Sequence, residues 1–147
     1  MTLAWSRRIG ASAPHHGISN CSAGAVYDGH VLYVAGPRHL IGGRPHPGSV
    51  QALDPRTGRL LWQTGLPDGV IGTPTLDGGG VLAVGTYDFT QTQNAFFLIR
   101  ATTGRILRRL DRGSQDFAQG VFTGGRLLAP NGDGLVAWGL RRSRPHG

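Results

Sequence analysis

Three stretches of this chain can be laid under one another. They are SAGAVYDGHVLYVAGP from Ser22, GTPTLDGGGVLAVGTY from Gly72 and AQGVFTGGRLLAPNGD from Ala118. Each runs from a small or polar start through apolar residues and a glycine-bearing turn into a second apolar run. Asp28 and Asp77 lie 49 residues apart, and Thr123 takes the same place 46 further on. A second pair, SVQALDPRTGRLLWQTGLP from Ser49 and AFFLIRATTGRILRRLDRG from Ala95, matches Gly58 with Gly104 at a spacing of 46. The third copy continues with GLVAWGL from Gly134. A repeat of this period is one structural unit that cannot bury its apolar face alone, so neighbouring copies must stack.

Each unit holds four short apolar runs, which predicts four antiparallel strands per repeat. They fall at 21–27, 31–36, 49–54 and 60–64 in the first copy and at 71–76, 81–85, 95–100 and 106–110 in the second. The third supplies 119–123, 126–130 and 135–140. Four strands in a repeat of this length are the signature of a β-propeller blade. The expected fold is therefore all-β, a partial β-propeller: blades at 17–67 and 68–113, an incomplete blade at 114–140 and a basic tail at 141–147. LAWSRRIG from Leu3 aligns with LLWQTGLP from Leu60, so 3–8 is expected as a loose outer strand with Trp5 in the place of Trp62. That makes three blades, whereas propellers close with about 4–8. The expectation is a segment of a longer propeller, ahead of a homo-oligomer in which two copies close a ring.

Composition fits many tight turns: 25 Gly and 9 Pro in 147 residues, without a Gly-X-Y period. All 15 basic residues are Arg and all 8 acidic residues are Asp, for a net charge of +7. The positive excess favours anionic partners in general. It is spread over all the repeats, whereas nucleic-acid binders gather charge on one face, so no nucleic-acid partner is expected. Cys21 has no second cysteine to pair with and reads as a small buried hydrophobe. No run of about 18 apolar residues exists, and no membrane span is expected. Ser6-Arg7-Arg8 and Ala11-Ser12-Ala13 have the look of an export signal, but only Ile9 and Gly10 separate them, where about 7–15 apolar residues are needed. No signal peptide is expected on this chain. The compartment stays open, extracytoplasmic if a longer parent is exported.

Asp54-Pro55-Arg56-Thr57-Gly58 reads as the turn between the third and fourth strands of a blade. Pro55 presets φ, Asp54 accepts from turn amides, and Gly58 supplies a positive φ. Trp62 follows on the outer strand, where its ring can cover the junction with a neighbouring blade. The string Ala52-x-Asp54-x-x-Thr57-Gly58-x-x-x-Trp62 resembles the tryptophan-docking motif of quinoprotein-type propellers, the PQQ-like repeat family. The second copy keeps Thr103 and Gly104 but has Arg100 in place of Asp54 and Arg108 in place of Trp62. The resemblance implies a fold rather than one activity. The same repeat serves calcium- and PQQ-dependent dehydrogenases, an outer-membrane assembly lipoprotein and sensor domains.

One face of such a propeller collects the suggestive polar residues. Arg38, His39, Arg44 and His46 come from the first blade and Tyr87, Asp88, Gln91 and Gln93 from the second. His15, His16, Asp68 and Asp116 lie on connections. No metal site is expected: His15 and His16 are adjacent, so they point to opposite faces of an extended chain, and His39 and His46 flank a Gly42-Gly43 pair read as flexible. Gly78-Gly79-Gly80 has no following Lys or helix and reads as a turn rather than a phosphate loop. The resemblance to quinoproteins implies Glu, Asn and Asp ligands to calcium, an Asp base and often paired cysteines. This chain has no Glu and one Cys, and Asn131 and Asp133 read first as a hairpin turn. Arg105, Arg108, Arg109 and Arg112, with Arg141, Arg142 and Arg144 in the tail, read as charges that blunt a sheet edge. The reading is a non-catalytic binding or scaffold module with no catalytic residue and no cofactor, meeting a protein or small ligand on the loop face. The alternative is a piece of a dehydrogenase that uses PQQ with calcium.

Overall fold

The computed structural model describes residues 1–10, 24–36, 38–70, 72–87, 94–112, 119–131 and 134–139. These residues form strands and turns only. The first sheet takes β1 (Ala25–Tyr27), β2 (Leu32–Gly36), β5 (Gly48–Leu53) and β6 (Leu60–Leu66), in that spatial order. A separate two-stranded hairpin, β3 (His39–Ile41) and β4 (Arg44–His46), interrupts it between β2 and β5. The second sheet is β7 (Thr75–Leu76), β8 (Val81–Thr86), β9 (Ala95–Arg100) and β10 (Ile106–Asp111), and the third is β11 (Val121–Thr123), β12 (Arg126–Pro130) and β13 (Leu135–Gly139). Every ladder is antiparallel between chain neighbours within its sheet. These are propeller blades, and among the described residues they do not close into a ring.

The apolar pattern explains the stacking. In a strand, successive side chains point to opposite faces. Leu82 and Val84 of β8, with Ala95, Phe97 and Ile99 of β9, join Tyr33, Ala35, Val50 and Ala52 of the first sheet in one buried cluster. Ala83 and Phe96, the residues between them, join Leu110, Leu127 and Ala129 in a second cluster with the third sheet. The middle blade is thus apolar on both faces, which is why its strands read as nearly unbroken hydrophobic runs. Burying each Leu, Ile, Val or Phe contributes about 1.5–3 kcal/mol, so the stacking of blades is a large source of stability.

Some features differ from the sequence expectation, among them the β3–β4 hairpin, which stands where a loop was expected. Residues 3–8 carry no strand, although they were expected as an outer strand. A strand is defined by a hydrogen-bonded neighbour, and this segment lies across the first blade without joining a ladder. Instead, the Ile9 carbonyl accepts from Gln51 Nε2 at 2.8 Å, and the Arg7 guanidinium donates to the Gly58 carbonyl at 3.3 Å. The inner strand β7 is also only two residues long, against the six expected. Pro74 immediately before it has no N–H to give a ladder.

Candidate functional site

The docking residues come together at two equivalent places. Trp62 Nε1 donates to the Ala101 carbonyl at 2.9 Å, and Trp5 Nε1 donates to the Pro55 carbonyl at 3.0 Å. Ala101 and Pro55 hold the same place in their turns. Beneath each ring sits the turn glycine: a Cβ at Gly104 would lie 2.5 Å from Trp62 Cε3, and one at Gly58 would lie 2.6 Å from Trp5 Cε3. Both glycines have positive φ, 73° and 68°, a region L side chains rarely adopt. Thus glycine is required twice over, by the backbone and by the ring.

A further pair was not visible to sequence reasoning. Two residues after each Trp, a side chain donates to the same glycine's carbonyl. Thr64 Oγ1 reaches Gly104 O at 2.6 Å, and Arg7 reaches Gly58 O. The shared +2 offset was the available signal, hidden because Thr and Arg share donor capacity and nothing else. Thr57 and Thr103 act inside the turns, accepting from the amides of Arg59 and Arg105. Ala52 is fully buried and pairs across β5–β6 with Trp62. Tyr33 lies 6.0 Å from the Trp62 ring, centroid to centroid.

Arg38, His39, Arg44 and His46 are gathered on the β3–β4 hairpin. The Gly42-Gly43 pair is its ordered turn, with φ of 57° and 77°. Two successive left-handed residues make the type I′ turn that suits a two-residue hairpin loop. His39 therefore stands directly opposite His46, and Ile41 opposite Arg44. The His46 ring covers Gly65 of β6, where a Cβ would come within 2.2 Å of its Cγ. This contact seats the hairpin on the blade, while Leu40 on its other face remains 64% exposed.

Between the hairpin and the N-terminal segment lies a cleft of about 250 Å³ lined by Arg8, Gly10, Arg38, His39 and Leu40. Arg8 is steadied by donation from its Nε to the Gly10 carbonyl at 3.0 Å. Tyr87 sits on the neighbouring blade, its amide donating to Gly69 O at 2.8 Å. Asp88 lies outside the described residues, as do His15, His16, Cys21, Gln91, Gln93, Asp116, Asp133, Arg141, Arg142 and Arg144.

Three carboxylates are committed to turns. Asp77 accepts from the amides of Gly79 and Val81. Asp54 accepts from the Arg56 amide, which leads in holding its carboxyl below the usual value. Burial pushes Asp28 up, but donation from the Val31 and His30 amides and the Tyr33 hydroxyl outweighs it, and its pKa is lowered. In turn, burial together with that bond to Asp28 pushes the Tyr33 phenol up to about 12. Among the described residues no three His, Cys, Asp or Glu side chains gather to hold a metal ion. The arginines of β10 occupy the outer strand of the second sheet, where Arg109 Nε meets Asp111 Oδ1 at 3.3 Å.

Comparison with known proteins bears on this arrangement. A family profile described as outer membrane protein assembly factor BamB matches residues 2–144. Similar solved structures include BamB from Moraxella catarrhalis, at 20% identity and a TM-score of 0.48 over 92% of this chain and 49% of that one. They also include the computationally designed Ika4 protein, at 13% identity and a TM-score of 0.39 over 92% of this chain and 99% of that one. The chain spans about half the length of the Moraxella protein. A sequence search of curated proteins gives no match. With a profile match over nearly its whole length and the docking geometry repeated at two turns, the chain belongs to the PQQ-like β-propeller repeat family, the family described as outer membrane protein assembly factor BamB.

Proposed function

We propose that this chain is a non-catalytic propeller module that binds a protein partner at the end of the blades bearing the β3–β4 hairpin. The observation that carries the reading is the hairpin itself. It lies outside the blade sheet, it is closed by a well-formed Gly-Gly turn, and His46 anchors it while Leu40 is left to solvent. A polar-rimmed apolar residue on a rigid support is what a partner-binding surface needs. The description of the family as a protein assembly factor supports a partner that is itself a protein.

The test replaces residues 37–47 by Asn-Gly, joining β2 to β5 directly, and separately places a photo-crosslinking residue at Leu40. The shortened variant is expected to melt within a few degrees of the parent, since its blade ladder is intact. Crosslinking in the native host is expected to yield one discrete adduct from Leu40 and none from Leu61, which is exposed on β6. Adducts from both positions alike, or from neither, would overturn the reading. So would calcium-dependent saturable binding of PQQ, which would move the chain to the dehydrogenase class.

A further inference from the structure

We propose that the cleft between residues 8–10 and the β3–β4 hairpin recognises carboxylates of an acidic, extended peptide segment. This deepens the binding-module reading and rests on it. Arg8 and Arg38 line the cleft, whose exposed wall is mostly carbon, and Arg44 stands at the hairpin tip. Among the described residues no carboxylate pairs with Arg38 or Arg44, whereas Arg109 on β10 has Asp111. Their charge is therefore available to a partner, and planar guanidinium groups match carboxylates in two-point geometry.

The rest of the cleft narrows the class of anion. Leu40 is 64% exposed at its rim and offers an apolar contact beside the cations, so an acidic segment that also carries an aliphatic side chain fits both. Among the described residues no Phe, Tyr or Trp lines the cleft, and single-stranded nucleic acid is held mainly by base stacking on such rings. Exposed ion pairs are individually weak, so a lone carboxylate binds poorly and several along one segment are needed. The chain of the N-terminal segment is fixed for this task by Gln51, through Ile9 O, and by the close approach of Gly36, where a Cβ would lie 3.0 Å from that same oxygen.

Fluorescence polarisation on the full chain with a labelled peptide alternating Glu and Leu tests this. Saturable binding is expected, weakening on raising salt from 50 to 300 mM as exposed charges are screened. Replacing Arg8 and Arg38 together by Ala is expected to weaken it about tenfold, or 1.4 kcal/mol. Replacing Arg108 of β10 and Arg105 just before it removes the same charge and is expected to leave it within twofold. Melting temperatures check that both variants fold, and Arg38→Lys, which keeps the charge, is expected to fall between parent and double variant. Equal losses in both double variants would overturn the proposal in favour of general charge attraction. An oligothymidylate of equal charge binding as tightly, with the same dependence on Arg8 and Arg38, would overturn it in favour of a polyanion site. Absence of peptide binding while Leu40 still crosslinks a partner would also overturn it and leave the binding module standing.

Discussion

The two junctions between blades are built unequally. Between the first and second sheets, a dozen buried residues form one cluster, and Trp62 locks the outer edge by a ring on Gly104 and a bond to Ala101 O. Between the second and third sheets the buried cluster has five residues, and the place of Trp62 is taken by Arg108, exposed on the same face as Leu98. A side-chain bond crosses the inner end, from Thr75 Oγ1 to Gly120 O at 2.5 Å. Trp138 packs on this second cluster, yet among the described residues its buried Nε1 meets no acceptor. A tryptophan therefore does not lock a junction by burial alone. The ring must meet a glycine turn whose carbonyl can accept from the indole.

The contrast is sharpest under mutation. Trp62→Ala removes a large ring and a hydrogen bond and is expected to cost about 3–5 kcal/mol in urea unfolding. Trp138→Phe, which removes that N–H, is expected to be within about 1 kcal/mol of the parent. A large loss at Trp138 and a small one at Trp62 would break the comparison. Gly104→Ala meets both the ring and a positive φ, and a loss of about 2–4 kcal/mol is expected. Gly125→Ala shares the positive φ, 72°, but finds open space, so only the backbone cost of about 1 kcal/mol should appear. Thr64→Val should cost about 1 kcal/mol through the lost bond to Gly104 O. Arg108→Ala should change stability by less than about 0.5 kcal/mol, as for other exposed sites.

Titration probes the first blade's own anchor. Because the Tyr33 phenol is raised from 10 to about 12, the folded state favours its neutral form. That contribution is complete below pH 10 and is lost as the pH rises through about 12. Asp28 is lowered instead, so its contribution is present above its ordinary value of 3.8 and is lost as the pH falls through the folded value. Tyr33→Phe is expected to flatten the alkaline limb of a stability profile. An unchanged alkaline limb would show that the phenol is not coupled to folding.

How much of this was legible depended on range. The blades were readable because the repeat, the glycine turns and the alternating apolar runs are local signals that agree with one another. The docking string was readable for the same reason, since Thr57-Gly58 and Thr103-Gly104 recur at a fixed spacing. The hairpin was missed because His39–Ile41 and Arg44–His46 are too short to show a period, and Arg, Pro and His carry no strand preference. Its Gly-Gly turn was visible but was read as looseness rather than as a type I′ loop. The cleft was not legible at all. It joins Arg8 to Arg38 across 30 residues, and nothing local marks that approach.

Native-state hydrogen exchange on the unmodified chain tests the unequal junctions most directly, because it reads the opening free energy strand by strand. The amides of Val84 and Phe97, within the docked junction, are expected to exchange slowest. Those of Leu127 and Ala129 in β12 should exchange faster, and Trp62→Ala should erase the difference. Equal protection in both junctions, or a gap that survives Trp62→Ala, would contradict the account.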